Sequence, residues 1–175
     1  LRQLAHQAQR LHTEFQIDLR VRGIIDSKRM LLHDTHIPLD SWSELFETNA
    51  VPADMETFAS HIQAGHLPHC AMIDCTASTL AEQWYPAWLQ RHIHVITPNK
   101  KAYSGAQSLY KNLRKLSHKH RSHLFYETTV GAGLPVIATL RDLLQTGDKI
   151  LSIEGVFSGT LSYIFNTLSP EKSFS

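Results

Sequence analysis

The chain has 175 residues, enough for one well-buried core, or for one domain and part of another. Its apolar fraction of 42% and charged fraction of 19% are ordinary for a globular protein, and a formal charge of +1 argues against a dedicated nucleic-acid or acidic-partner surface. With no apolar run of about 18 residues and no signal-peptide pattern, a soluble, cytoplasmic protein with no membrane contact is expected.

Leu1 to Phe15 reads as an amphipathic helix, with apolar residues at 1, 4, 5, 8 and 11. It opens on leucine with no capping residue ahead, and the closing SPEKSFS has no tail character, so a fragment of a longer protein is expected. Ile17 to Ile25 (IDLRVRGII) is strand-like and runs into Asp26, Ser27, Lys28 and Arg29. In a dinucleotide-binding fold an acidic residue at the end of the second strand accepts the ribose hydroxyls, while a nearby arginine accommodates a 2′-phosphate. Asp26 with Lys28 and Arg29 is compatible with NAD or NADP, and also with a plain polar junction between strand and loop. Residues 33 to 69 are the least informative: short helical pieces (SWSELFE and ADMETFASHIQAG) among Pro38, Pro52 and Pro68, read as connections on one face of a sheet.

Ala71 to Cys75 reads as a short buried strand. Cys70 and Cys75 lie in or beside it, on opposite faces if both belong to it, which suits a reducing compartment and disfavours a bridge. Thr76 to Thr79 then opens a helix through Ala81 to Arg91, where hydroxyls suit N-caps and a helix start after a parallel strand also suits a cofactor. His94 to Thr97 is the next strand, ending in Pro98, Asn99, Lys100 and Lys101. A lysine there faces the ligand crevice of an open α/β sheet, though paired lysines are also common on a solvated surface. Tyr103 to His120 is helical, and Leu124 to Val130 is a strand that leads into Gly131-Ala132-Gly133 and a helical run from Pro135. Glu127 falls inside that strand, where a carboxylate needs a partner. From Lys149, ILSIEGVFSG reads as a longer strand and TLSYIFNTL as a helix, the entry to a second domain.

This alternation predicts an α/β fold with a doubly wound, mostly parallel sheet, and the change of pattern from Lys149 predicts the entry to a second domain. Histidines 118, 120 and 123 lack the spacing of a zinc site, and no Gly-x-Ser-x-Gly elbow anchors a hydrolase triad. GAGLP lacks the spacing of a complete pyrophosphate fingerprint.

Together, TPNKKA (97–102), YETTVGAGLP (126–135) and GVFSGTLSYIFN (155–166), with DCTAS (74–78) and DLRVRGIIDSK (18–28), resemble homoserine dehydrogenase over nearly the whole chain. The flavour is that of the dehydrogenase half of bifunctional aspartokinase–homoserine dehydrogenases. The resemblance implies an oxidoreductase that interconverts L-homoserine and L-aspartate 4-semialdehyde with NADP or NAD, in threonine and methionine biosynthesis, as a homo-oligomer. It implies that Lys100 sits beside the nicotinamide and the reacting carbon, with Asp26, Lys28, Arg29, Thr76, Ser78 and Asn99 among the cofactor contacts. Glu127 and the carbonyls of Val130, Ala132 and Leu134 match a monovalent-cation site, usually sodium. Gly159 and Thr160 match the turn against the amino-acid end of the substrate. The resemblance also implies a Rossmann-like cofactor domain over residues 1–147, lacking its first strand and glycine loop, and the start of an α+β substrate and dimerisation domain at 148–175. The family's glycine-rich loop and its acidic catalytic segment have no counterpart here, so the 175 residues alone are expected to have little activity. A non-catalytic dinucleotide-binding or interaction module of the same fold is the alternative.

Overall fold

The computed structural model describes residues 1–63 and 69–169. The end of ADMETFASHIQAG, Pro68, and the residues after Ser169 lie outside these. The chain divides into two compact units, Leu1–Cys70 and Ala71–Ser175.

In the first unit, α1 (Arg2–Phe15) precedes a three-stranded antiparallel sheet in the order β1 (Gly23–Ile25), β2 (Arg29–Leu32), β3 (Val51–Pro52). The β1–β2 register pairs Gly23 with Leu32 and Ile25 with Met30, so the link between them is the tight turn at Asp26–Lys28. Asp26 makes that turn: its Oδ1 accepts the backbone amides of Lys28 and Arg29, both at 2.7 Å. Between β2 and β3 lies α2 (Trp42–Asn49). After β3, Asp54 caps α3 (Met55–Ile62), its carboxylate accepting the Thr57 amide at 2.7 Å. Leu31, Ile37 and Phe46 form a core cluster, packed by Val21, Ile24, Trp42, Leu45 and Ala50. Gly23 lets β1 approach α3, because a Cβ there would stand 2.6 Å from the buried Phe58 ring.

The second sheet runs in the order β4 (Cys70–Ile73), β5 (Ile93–Ile96), β6 (Leu124–Phe125), with β5 and β6 parallel. Two short helices, α4 (Thr79–Glu82) and α5 (Tyr85–Gln90), link β4 to β5, and α6 (Lys101–Ser104) and α7 (Gln107–His120) link β5 to β6. Tyr85, Trp88 and Leu89 of α5, Ile93 and Val95 of β5, and Leu113 and Leu116 of α7 form its buried interior. Ser122 is buried with them, and its hydroxyl donates to the Leu89 carbonyl at 2.9 Å. After β6 come a 3-10 turn at Glu127–Thr129, α8 (Val136–Gln145) and α9 (Gly159–Thr167).

The α/β class and the parallel strands of the second sheet agree with the sequence reading, and several segments differ from it. Of Ile17–Ile25 only Gly23–Ile25 is strand, and it pairs antiparallel with a four-residue strand too short for periodicity to reveal. The expected helix from Thr76 to Arg91 is two helices, with Pro86 in the first turn of the second, where its missing amide suits a helix start. The strand expected through Val130 ends at Phe125, so Glu127 opens a 3-10 turn instead of lying within a strand. Cys70 is the half-buried first residue of β4 and Cys75 lies exposed beyond its end, and β4 buries only Met72, so the strand is less buried than the apolar run suggested. ILSIEGVFSG forms no strand: Leu151 is 87% exposed, and none of the strands among the described residues pairs with it.

Candidate functional site

Asp74 follows the last residue of β4 and is only 5% exposed, so its carboxyl must be satisfied from within. Its Oδ1 accepts the Thr76 amide at 2.8 Å. Its Oδ2 accepts the Tyr85 hydroxyl in a short hydrogen bond, and the Asn99 side-chain amide at 3.2 Å. Thr97, directly after β5, donates its hydroxyl to the Asp74 carbonyl at 3.0 Å, and the Asp74 amide reaches the Ile96 carbonyl at 3.0 Å. The C-terminal ends of β4 and β5 therefore meet, and the side-chain links of Thr97 and Asn99 to Asp74 are polar and buried. Burial and the Asp74 contact push the Tyr85 phenol well above its usual range, so it remains a donor.

Asn99 is the hinge of this arrangement. It is 4% exposed, and its side-chain nitrogen donates to the Ser78 carbonyl at 2.8 Å as well as to Asp74. Its side-chain oxygen accepts the Lys101 amide at 3.1 Å, and its own amide donates to Thr97 Oγ1 at 2.9 Å. The side chain is thus engaged by the protein, and it ties the loop after β4 to the loop after β5. Lys100, the next residue, is exposed at the N-cap of α6. The Ser78 hydroxyl caps α4 by accepting the Leu80 amide at 3.0 Å, and Thr76 is exposed.

A second tie runs from α6 to the end of β6. The Tyr103 and Tyr126 rings stack with centroids 4.3 Å apart and planes 22° from parallel. Glu127 follows. Its two carboxylate oxygens accept the Ile137 and Ala138 amides at 2.8 and 2.7 Å, capping α8. In the turn between, Gly131 and Ala132 both take positive φ, 71° and 51°, and the Leu134 amide donates to the Gly131 carbonyl at 3.0 Å. Two consecutive left-handed residues rotate successive carbonyls away from a regular course.

The structure thus gathers Thr76, Ser78, Asn99 and Lys100 at one edge of the second sheet, with Glu127, Val130, Ala132 and Leu134 in the turn beyond the neighbouring strand. Gly159 and Thr160 open α9, capped by the Ser158 hydroxyl, which accepts the Leu161 amide at 3.2 Å. Asp26, Lys28 and Arg29 belong to the first unit, where Arg29 forks onto Glu47 at 3.0 and 3.1 Å and lies over the Phe46 ring. Sequence reasoning missed Asp74, Tyr85 and Thr97. The one legible signal was an acid closing the apolar run CAMIDC, which demands buried donors without naming them. No group of three or more His, Cys, Asp or Glu placed to hold a metal ion occurs among the described residues.

An α/β unit whose parallel strands end in polar loops at one edge is the architecture of a Rossmann-like dinucleotide-binding domain. A hyperthermophilic archaeal homoserine dehydrogenase solved with NADPH shares the fold, with a TM-score of 0.64 at 21% identity over 82% of this chain and 44% of that one. The family model for the homoserine dehydrogenase NAD-binding domain matches residues 1–127, and that for homoserine dehydrogenase matches residues 135–175. The chain belongs to the homoserine dehydrogenase family. It is 52% identical to bifunctional aspartokinase/homoserine dehydrogenase 1, chloroplastic, of Arabidopsis thaliana over 100% of its own length and 19% of that protein. It is 43% identical to the homoserine dehydrogenase of Schizosaccharomyces pombe over 77% of this chain and 35% of that protein. The chain therefore spans about a fifth of the length of its bifunctional plant relative.

Proposed function

We propose that this chain forms the cofactor side of a homoserine dehydrogenase, within a protein that also carries an aspartokinase, and that the whole protein oxidises L-homoserine reversibly to L-aspartate 4-semialdehyde. The observation that carries the reading is the union of the loops after β4 and β5 through Asn99, which leaves Lys100 exposed beside Thr76 and Ser78. The polar, C-terminal edge of the sheet suits a nicotinamide dinucleotide, NADP or NAD. A nicotinamide held there would supply the hydride acceptor for the carbinol carbon. Lys100 stabilises the negative charge that develops on the oxygen in both directions, the hydroxyl proton passing to solvent in oxidation and returning from solvent in reduction. Thr76, Ser78 and the backbone around Asn99 line the cofactor, and Asp26, Lys28 and Arg29 discriminate at the ribose. Because Asp26 Oδ1 holds its own turn, its Oδ2 is the atom left to meet a ribose hydroxyl.

Residues 1–147 serve the cofactor and the substrate domain starts at 148, with Gly159 and Thr160 meeting the amino-acid end of the substrate. A monovalent cation, sodium in this reading, is held by the carbonyls of Val130, Ala132 and Leu134. The positive φ at Gly131 and Ala132 supports that, whereas the Glu127 carboxylate is already engaged by α8. The reaction serves threonine and methionine biosynthesis in a homo-oligomer. A cytoplasmic site belongs to the same reading, although the Arabidopsis relative is described as chloroplastic. The test is homoserine oxidation by the full-length protein, followed through nicotinamide reduction. Turnover that rises with sodium over a potassium-free, lithium-buffered control supports both the activity and the cation. A folded, cofactor-binding protein that leaves homoserine untouched refutes the activity.

A further inference from the structure

The buried links between Tyr85, Asp74 and Asn99 have no direct part in the chemistry just described, yet they lead to the residue that does. Tyr85 is wholly buried in α5, and its hydroxyl, 3.1 Å from Thr97 Oγ1, donates to Asp74. Three donors face the Asp74 carboxyl: the Thr76 amide, the Tyr85 hydroxyl and the Asn99 side-chain amide. Asn99 in turn grips Ser78 on one side and the Lys101 amide on the other, with Lys100 between its backbone and α6. A buried carboxyl that lost one of these donors would draw the others toward it or admit water, and either change moves the loop that carries Lys100.

We propose that Tyr85 and Asn99, acting through Asp74, are positioning residues for Lys100, which on the homoserine dehydrogenase reading above sets the rate of turnover rather than the affinity for substrate. A displacement of about 1 Å in a reacting group can cost on the order of a hundredfold in rate, so a polar bracket on both flanks of Lys100 has kinetic consequences that its burial alone does not suggest. The amide of Asn99 faces the protein, so its contribution to the cofactor edge is made through the backbone it holds.

The experiment compares kcat and KM for homoserine in the full-length protein as wild type, Tyr85→Phe, Lys100→Ala and the double variant. Tyr85→Phe preserves the ring and removes one hydroxyl. The inference predicts a fall in kcat of about tenfold or more, KM within about threefold, and no further loss when the change is added to Lys100→Ala. A second variant, Asn99→Asp, is isosteric and sets another carboxyl about 3.2 Å from Asp74. Its kcat relative to wild type is predicted to fall, and to recover in part as pH is lowered and the pair takes up a proton. Full kcat in Tyr85→Phe, or the same factor lost with and without Lys100, overturns this inference while leaving the enzyme reading intact. A pH-independent loss in Asn99→Asp also overturns it. A wild-type protein that does not oxidise homoserine overturns the enzyme reading itself.

Discussion

The Glu127 carboxylate reaches across the 131–135 turn to Ala138, accepting its amide at 2.7 Å while its other oxygen accepts that of Ile137 at 2.8 Å. These are the second and third amides of α8, which lack carbonyl partners within the helix. A negative charge there also favours the positive end of the helix dipole. Glu127 thus joins the end of β6 to the start of α8 and fixes the shape of the glycine turn between them.

Glu127→Ala is expected to free both amides and to destabilise the start of α8 by about 1–2 kcal/mol. Hydrogen exchange at Ile137 and Ala138 should accelerate, with Glu127→Gln, which keeps one acceptor, in between. Unchanged protection in Glu127→Ala would show that the turn is held by something other than this carboxylate.

Much of the second unit was legible in the sequence, and much of the first was not, for a physical reason. In the second unit the parallel strands alternate with helices, and the periodicity of α7 shows which face is buried, with Leu113 and Leu116 inside. The strands of both units have two to four residues, but those of the first pair antiparallel across a turn and an intervening helix, and pairing rather than pattern makes them. Asp26 looked like a ribose ligand by position, and the structure adds a second role, the turn that makes β1 and β2 antiparallel. At the site, Lys100, Ser78 and Thr76 stood out because exposed polar residues in a motif are readable. Tyr85 did not, since a tyrosine in an apolar helix looks like core until Asp74 is seen against its hydroxyl.

The close packing of β1 on α3 should make Gly23 intolerant of a side chain. Gly23→Ala places a methyl 2.6 Å from the buried Phe58 ring and is expected to cost about 1–3 kcal/mol. Gly133→Ala, with nothing within 4 Å and an ordinary φ, is expected to be neutral or slightly stabilising. Urea unfolding of the two variants checks the contrast, and equal midpoints would mean that β1 and α3 are not in close contact.

Alkaline pH should loosen the second unit. Burial pushes the Tyr85 and Tyr103 phenols well above their ordinary 10.0 and that of Tyr126 to about 12. Above pH 10 the unfolded chain releases these protons while the folded chain keeps them, so the unfolded state binds fewer and stability falls as pH rises. Tyr85→Phe removes one contributor and should make that fall shallower. A spectrophotometric titration in which these tyrosines ionise near 10 with the fold intact would contradict their burial.

The most direct measurement is homoserine oxidation by the full-length protein, wild type against Lys100→Ala, followed through nicotinamide reduction at saturating cofactor. The account predicts turnover in the wild type and a loss in kcat of about a hundredfold or more in the variant, with cofactor affinity little changed. A folded wild-type protein that binds the dinucleotide and leaves homoserine unoxidised would contradict it, and would leave a dinucleotide-binding module in place of the enzyme.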